Sequence, residues 1–218
     1  MLVISDDAFE LATLSSALRL HTINVVGEAK NIALAESLFR SLQPEVLVID
    51  IQFYGKESIN LVKKLRKSNP SLGIILTTDC PDLRLLEINK KDMPVGIQLI
   101  YKRAFGNLDV IADAIRKAIE IAESKNPIAW LDVNGNLYEN PFPSVLTAMT
   151  DTQIETFRLI ATGLSNAEIG RVRFVSEKSV EQIVARIAAH FAITPDRTRN
   201  LRVLIAGQYY KWIGAPRH

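Results

Sequence analysis

The amino-acid sequence predicts an α/β fold: a doubly wound, five-stranded parallel sheet followed by a small all-α domain that contains a helix-turn-helix. The first 124 residues alternate short apolar runs with amphipathic stretches of helical period. From residue 147 onward only helical patterns and helix-capping residues appear. We therefore predict a first domain at 1–124, a linker at 125–146 and a helical domain at 147–218.

Five apolar runs are the candidate strands, and four of them are continuous rather than alternating, as is typical of parallel strands covered on both faces. They are Leu2–Ile4, Ile23–Val26, Val46–Ile49, Ile74–Leu76 and Ile97–Tyr101. The stretches between them carry apolar residues at helical spacing, for example along 32–42 and 108–122. Right-handed crossovers then leave few topologies other than a doubly wound sheet.

The linker contains three prolines and an Asn134–Gly135 pair, which argue against a continuous helix. It is also rich in apolar residues, so we expect it to pack on one of the domains. In the helical domain, cap signals predict four helices. These signals are Thr150-x-x-Gln153, Gly163, Ser165-x-x-Glu168, Ser176 and Thr194–Pro195, the last beginning a helix that runs to about Trp212.

Charge and composition restrict the class of protein. The net charge is +2, divided as −2 over residues 1–146 and +4 over 147–218, so the C-terminal part is the one suited to a polyanion. No apolar run approaches the roughly 18–20 residues that span a bilayer, and the N-terminus lacks a basic export signal. Cys80 is the single cysteine, which fits a reducing compartment. We expect a cytoplasmic protein with no membrane partner.

Carboxylates follow two of the predicted strands: Asp6 and Asp7 after the first, and Asp50 after the third. Strands one and three are neighbours at the switch point of a flavodoxin-like sheet, where ligands bind. Converging carboxylates favour a hard cation with oxygen ligands, and Mg²⁺ suits such a site. Thr77 and Lys102 end strands four and five, where they would hold a phosphoryl group. Taken singly, each of these residues is also compatible with a turn, a cap or a solvated charge.

Residues 1–123 resemble the receiver domain of two-component response regulators. The resemblance rests on I-S-D-D (4–7), V-L-V-I-D (46–50), I-I-L-T-T (74–78) and L-I-Y-K (99–102). It implies that Asp50 accepts a phosphoryl group from a histidine kinase, that Asp6, Asp7 and Asp50 hold Mg²⁺, and that Thr77 and Lys102 contact the phosphoryl group. It also implies that phosphorylation changes the conformation of the face formed by the fourth helix, fifth strand and fifth helix. The expected consequence of this change is homodimerisation.

The chain departs from the receiver pattern in three places. Tyr54 and Gly55 stand where a proline usually follows the acceptor, and Leu99 takes the position of the switch aromatic. Tyr101 comes two residues later. The Thr77–Lys102 segment is also about three residues longer than is usual in the family and includes Met93–Pro94.

Residues 147–212 resemble the LuxR-type helix-turn-helix of the NarL/FixJ regulators, through G-L-S-N-A-E-I (163–169) and V-S-E-K-S-V (175–180). The resemblance implies that the third helix of the domain enters the major groove of DNA. Glu181, Gln182 and Ala185 would face the bases, with Ser179 beside them, and Lys178, Arg171, Arg173 and Arg186 would contact phosphates. Arg173 stands where the family often has an apolar residue, and we expect it to be exposed.

The sequence thus predicts a transcriptional response regulator, not an enzyme, because no Ser-His-Asp set, Walker loop or Gly-x-Gly-x-x-Gly is present. Two alternatives stay open. One is a regulator that works without phosphorylation, and the other is an interaction adaptor whose helix-turn-helix no longer binds DNA. A flavodoxin-like enzyme has only the fold in its favour.

Overall fold

The computed structural model describes residues 1–52, 54–124, 129–131, 144–194 and 196–213. They divide into two compact units. The first contains Met1–Asp79 and Leu86–Pro141, and the second contains Cys80–Leu85 and Phe142–His218. Most of the predicted linker, with its prolines and the Asn134–Gly135 pair, lies outside the described residues. None of the described helices is long and apolar enough to cross a membrane.

The first unit is a parallel sheet of order β2-β1-β3-β4-β5-β6. Its strands are β1 (Leu2–Ile4), β2 (Gly27–Ala29), β3 (Val46–Asp50), β4 (Gly73–Thr78), β5 (Ile97–Tyr101) and β6 (Ala129–Leu131), and its α-helices are α1 (Ala8–Leu20), α2 (Ile32–Leu42), α3 (Gly55–Ser68) and α4 (Leu108–Ser124). The sheet therefore has five parallel strands, as predicted in number, and a sixth from the linker, which pairs with β5. The part of the linker at Ala129–Leu131 thus pairs with the sheet of the first unit, and the expectation that the linker as a whole packs on a domain falls mostly outside the described residues.

The core of this unit lies against one face of the sheet, where alternate residues of four strands meet α1 and α4. Val3, Val48, Ile75 and Ile100 share a buried cluster with the apolar faces of those two helices. Residues that point to the opposite face, such as Leu47 and Ile49, are also fully buried. Burial on both faces explains why the central strands are continuous apolar runs.

Two predictions for the first unit are wrong. Strand two lies at Gly27–Ala29 rather than Ile23–Val26, because the Ile23 N–H still donates to Leu18 O at the end of α1. The fourth helix of the receiver pattern is replaced, between residues 79 and 96, by two 3₁₀ turns at Leu83–Leu86 and Lys90–Asp92. The carboxylate of Asp82 and the amide of Asn89 accept nearby backbone N–H groups there, which competes with helical hydrogen bonding.

The second unit is helical, with α5 (Ser144–Thr147), α6 (Asp151–Ala161), α7 (Asn166–Arg173), α8 (Glu177–His190) and α9 (Leu201–Ile213). Three of the predicted caps are present: Thr150 and Gln153 form a reciprocal capping box, and Ser165 and Ser176 cap α7 and α8. Gly163 has the predicted left-handed backbone, with φ +86°. Phe157 is fully buried at the centre of the unit, with ring centroids of Phe191 and Tyr209 at 5.1 and 5.4 Å.

The start predicted for the last helix is wrong. That helix begins at Leu201, and the side chain of Asn200 caps it by accepting the N–H groups of Arg202 and Val203. A turn precedes it, in which Asp196 accepts the N–H of Thr198. Pro195, on which the prediction depended, lies outside the described residues.

Arg84 organises the part of the second unit that comes from Cys80–Leu85. Its guanidinium donates to the Asp82 carboxylate at 2.7 Å, to the carbonyl oxygens of Leu146 (2.8 Å) and Met149 (3.0 Å), and to the Asp151 carboxylate at 2.9 Å. The Asp82 side chain is completely buried, so this guanidinium is its neutralising partner. In addition, the Tyr209 hydroxyl donates to Leu85 O at 3.1 Å. The short segment is thereby tied to both α6 and α9.

Replacing Phe174 by glycine is expected to stabilise the protein by roughly 0.5–1 kcal/mol. Phe174 lies between α7 and α8 with φ +55° and is 96% exposed, so its side chain contributes little packing. A left-handed residue with a β-carbon costs about 1–2 kcal/mol, and part of the gain is lost to the flexibility of glycine in the unfolded chain. Urea unfolding of Phe174→Gly measures the gain. Phe174→Ala keeps the β-carbon and is expected to gain nothing, so equal stability of the two variants would refute this explanation.

Candidate functional site

The predicted pocket residues lie at the carboxyl ends of neighbouring strands. Asp50 is the last residue of β3 and is paired in register with Thr77 of β4. Lys102 directly follows β5, and Asp6 and Asp7 follow β1. Because β1, β3, β4 and β5 are adjacent and parallel, their ends form one edge of the sheet.

The carboxylate of Asp50 is almost fully buried, at 2% exposure. One of its oxygens accepts the backbone N–H of Gln52 at 2.9 Å, and the other accepts from Lys102 Nζ at 2.7 Å. Burial raises the pKa of Asp50 above its ordinary value, although Lys102 and the Gln52 N–H counteract part of this shift. Asp50 is therefore a carboxylate held beside a single ammonium group.

That ammonium group serves two carboxylates. Lys102 Nζ also donates to Glu10 Oε2 at 2.6 Å, and the lysine side chain is only 12% exposed. Burial by itself would lower the pKa of Lys102, but attraction to Asp50 and Glu10 raises it overall. Burial also raises the pKa of Glu10, against the opposing effect of Lys102. Lys102 is therefore the cation that the carboxylates of Asp50 and Glu10 share in a three-residue network.

Glu10 and Gln52 were missed by the sequence prediction. Glu10 lies in the first turn of α1, three residues after Asp7, a spacing that resembles a capping box rather than a pocket residue. Gln52 Oε1 accepts the Thr78 hydroxyl at 2.9 Å and the Asp79 N–H at 3.2 Å. It thereby ties the segment after β3 to the end of β4. No sequence signal for this role is evident beyond the position of Gln52 two residues after Asp50.

The structure places the other carboxylates at the same edge of the sheet but in different roles. Asp7 is the N-cap of α1 and accepts the N–H groups of Phe9 and Glu10, whereas Asp6 is exposed. The oxygen donors have the chemistry that Mg²⁺ prefers. However, among the described residues no group of three His, Cys, Asp or Glu side chains is gathered around one point. The magnesium site stays a prediction.

Thr77 and the departures from the receiver pattern have defined positions. Thr77 is buried, and its hydroxyl donates to Ile49 O at 3.5 Å. Leu99 is completely buried in β5, and Tyr101 is half-buried at the end of that strand. The Tyr54 hydroxyl donates to Lys30 O, and burial together with the charges of Asp6 and Asp50 raises the pKa of Tyr54. Gly55 has φ +43°, which explains why proline does not occur there.

The predicted DNA-facing surface belongs to α8 in the second unit. Ser176 caps this helix, and its inward side chains are Val180, Val184, Ile187 and Ala188. Most of the predicted contact residues on the opposite side are exposed, with Ser179 half-buried: Lys178, Glu181, Gln182, Ala185 and Arg186. Arg171, on α7, is exposed as well and pairs with Glu168. The exposed side of α8 therefore carries polar side chains without a large apolar residue.

The predicted exposure of Arg173 is wrong. Its side chain is 11% exposed and donates to Glu155 Oε2 at 3.0 Å and to the Thr156 hydroxyl at 2.9 Å. The guanidinium is largely buried, and α6 supplies the polar partners that its burial requires. Arg173 therefore joins α7 to α6, and its contact with phosphates has no support from this geometry.

No protein-family model matches the chain. The chain is similar to the transcriptional regulatory protein LiaR of Bacillus subtilis (strain 168), at 29% identity over 182 residues, which cover 81% of this chain and 82% of LiaR. The DNA-binding transcriptional activator EvgA of Escherichia coli (strain K12) is 24% identical over 189 residues, covering 85% and 88%. Coverage of this extent includes parts of both units.

Among solved structures, the two-component response regulator RcsB in complex with DNA has the same fold. It superposes with a TM-score of 0.53 over 96% of each chain, at 18% sequence identity. At this identity the likeness applies to the fold alone. It matches the arrangement of a parallel α/β sheet followed by a helical C-terminal region.

Proposed function

We infer that this chain, a response regulator of the NarL/FixJ family, is a transcription regulator whose binding to DNA is controlled by phosphorylation of Asp50. One observation carries the proposal: a buried carboxylate at the switch point of the sheet, paired with Thr77 in register and with Lys102 by a hydrogen bond of 2.7 Å. The exposed polar side of α8 supplies the second part of the proposal.

In the proposed reaction, a carboxylate oxygen of Asp50 attacks the phosphorus atom of a phosphohistidine on a kinase. A P–O bond forms, the P–N bond breaks, and the imidazole keeps the electron pair. Asp6, Asp7 and Asp50 would hold Mg²⁺, which would neutralise charge on the transferred group. Lys102 and the Thr77 hydroxyl would donate to the phosphoryl oxygens. The product carries roughly −1.5 to −2 charge in place of −1, and this change is the signal.

On DNA, the exposed side of α8 would lie in the major groove. Gln182 has the amide that pairs with adenine, and Glu181 can accept from the N4 amine of cytosine. Lys178, Arg171 and Arg186 would contact phosphates, whereas Arg173 keeps its structural role. A negative Glu181 near the phosphates weakens sequence-independent binding, so we propose that recognition depends on base contacts more than on charge.

The test compares wild type with Asp50→Asn and with Asp113→Asn, an exposed aspartate of α4 paired with Arg116. Each protein receives beryllofluoride with Mg²⁺, and its mass is followed by light scattering. We expect wild type and Asp113→Asn to shift to a dimer and Asp50→Asn to show no change. The second measurement is binding of the dimer to duplex DNA at several salt concentrations. An affinity that falls as salt rises would support the DNA-binding part of the proposal. No response in wild type would favour a regulator that works without phosphorylation, and no DNA binding would favour an adaptor.

A further inference from the structure

Glu10 is a charged residue of the pocket that the five receiver positions do not include. It is in the first turn of α1, and its side chain is 21% exposed. The Asp7–Glu10 spacing would allow a capping box, in which Glu10 accepts the Asp7 N–H. The structure shows another arrangement, because the Asp7 N–H donates to the Ser5 hydroxyl and the Glu10 carboxylate accepts from Lys102.

Lys102 is divided between two carboxylates at nearly equal distances. An ammonium group has three N–H donors, and those of Lys102 reach Asp50 Oδ2 at 2.7 Å and Glu10 Oε2 at 2.6 Å. Two carboxylates therefore accept from one ammonium group, whose single positive charge cannot neutralise both. Any further negative charge at Asp50 must therefore compete with Glu10 for the same cation.

We propose that Glu10 is a positioning residue that competes with the phosphoryl group for Lys102 and thereby limits the stability of the phosphorylated state. This rests on the proposed function of Asp50. When a phosphoryl group is added, Lys102 either leaves Glu10, whose partly buried carboxylate then loses its partner, or stays shared and neutralises the phosphoryl group incompletely. Both outcomes raise the free energy of the phosphorylated state relative to the unmodified state.

The decisive variant is Glu10→Gln, which keeps the length of the side chain and an oxygen that can accept from Lys102 but removes the charge. With Mg²⁺ in excess, we expect Glu10→Gln to bind beryllofluoride about five- to tenfold more tightly than wild type does, a change at the low end of coupling between sites. The matched control is Glu28→Gln. Glu28 pairs with Arg19 at the same kind of distance, 2.7 Å, at the surface of the same unit, and its removal is expected to leave the affinity unchanged.

A second readout does not depend on phosphoryl chemistry. The pKa of the Lys102 ammonium, followed by NMR, is expected to fall in Glu10→Gln because one of its two attracting carboxylates is gone. A residue that only stabilised the fold would not move this pKa. If Glu10→Gln unfolds, Glu10→Met removes the same charge at similar length and takes its place.

The outcomes separate this inference from the proposed function. If wild type and Glu28→Gln bind beryllofluoride and Glu10→Gln binds it equally or less tightly, the competition is refuted while phosphorylation at Asp50 stands. If neither wild type nor Glu10→Gln binds it, both proposals are overturned. Binding by Glu10→Gln alone would support competition, with Glu10 blocking the site in the wild-type protein.

Discussion

Replacing Arg84 by methionine is expected to destabilise the second unit by about 3–5 kcal/mol. Removing one member of a buried ion pair leaves the other charge without a partner, which is costly. The Asp82 carboxylate is completely buried and accepts from Arg84, and the carbonyl oxygens of Leu146 and Met149 lose a donor in the same variant. Methionine keeps most of the side-chain volume, so the loss measures the polar contacts.

The measurement is hydrogen exchange of the backbone amides in α6 and α9, which is expected to be faster in Arg84→Met. Amide exchange distinguishes local opening of these helices from global unfolding. The control is Arg19→Met, which breaks an exposed pair with Glu28 and is expected to cost less than about 1 kcal/mol. Unchanged exchange in α6 after Arg84→Met would show that the buried carboxylate is not held in the way the structure indicates.

Lys102→Met is expected to destabilise the first unit by about 3 kcal/mol near neutral pH. Two carboxylates, Asp50 and Glu10, would lose their shared cation, and Asp50 is 2% exposed. Their pKa values, already raised by burial, would rise further. A carboxyl group whose folded pKa exceeds its unfolded pKa stabilises most below the unfolded pKa, and this contribution is lost as pH rises through the folded pKa. The deficit of the variant should therefore shrink as pH is lowered from about 7 towards 5.

Urea unfolding at both pH values measures this deficit. The matched variant is Lys64→Met, whose lysine pairs with Glu36 at 2.7 Å but is 63% exposed. It is expected to lose less than about 1 kcal/mol, with little dependence on pH. A deficit of Lys102→Met that stays constant or grows on acidification would contradict the shared-cation network.

The parts of the fold that the sequence predicted are those set by burial. Continuous apolar runs identified the central strands because both faces of the sheet are covered, and the resemblance to response regulators that those strand ends suggested is confirmed by the relatives. Strand two was misplaced because an edge strand, Gly27–Ala29, carries no such run. The fourth helix is absent where the side chains of Asp82 and Asn89 accept backbone N–H groups. Whether such bonds replace a helix depends on contacts made in the folded protein, and a sequence pattern does not show those contacts.

The candidate site was predicted in position but not in its charge balance. Asp50, Thr77 and Lys102 were placed at one edge of the sheet because each lies at or next to the end of an apolar run, and their roles stay a prediction. Glu10 was missed because it belongs to a helix whose neighbour in space, Lys102, is 92 residues away in sequence. Arg173 was misjudged for the opposite reason: an arginine at an apolar position suggests exposure unless a partner such as Glu155 is known to lie beside it.

The membership of Cys80–Leu85 in the second unit has a consequence for the modularity of the chain. A C-terminal domain that is continuous in sequence can be exchanged between proteins through one junction, which here would lie near residue 142. Here six residues of the second unit are encoded between β4 and β5, so no single cut separates the two units. A chimaera made with a foreign N-terminal half would carry foreign residues opposite Asp151 and Tyr209. A functional exchange of the second unit between relatives must therefore replace two separate segments of the gene, the one for Cys80–Leu85 and the one that begins near residue 142.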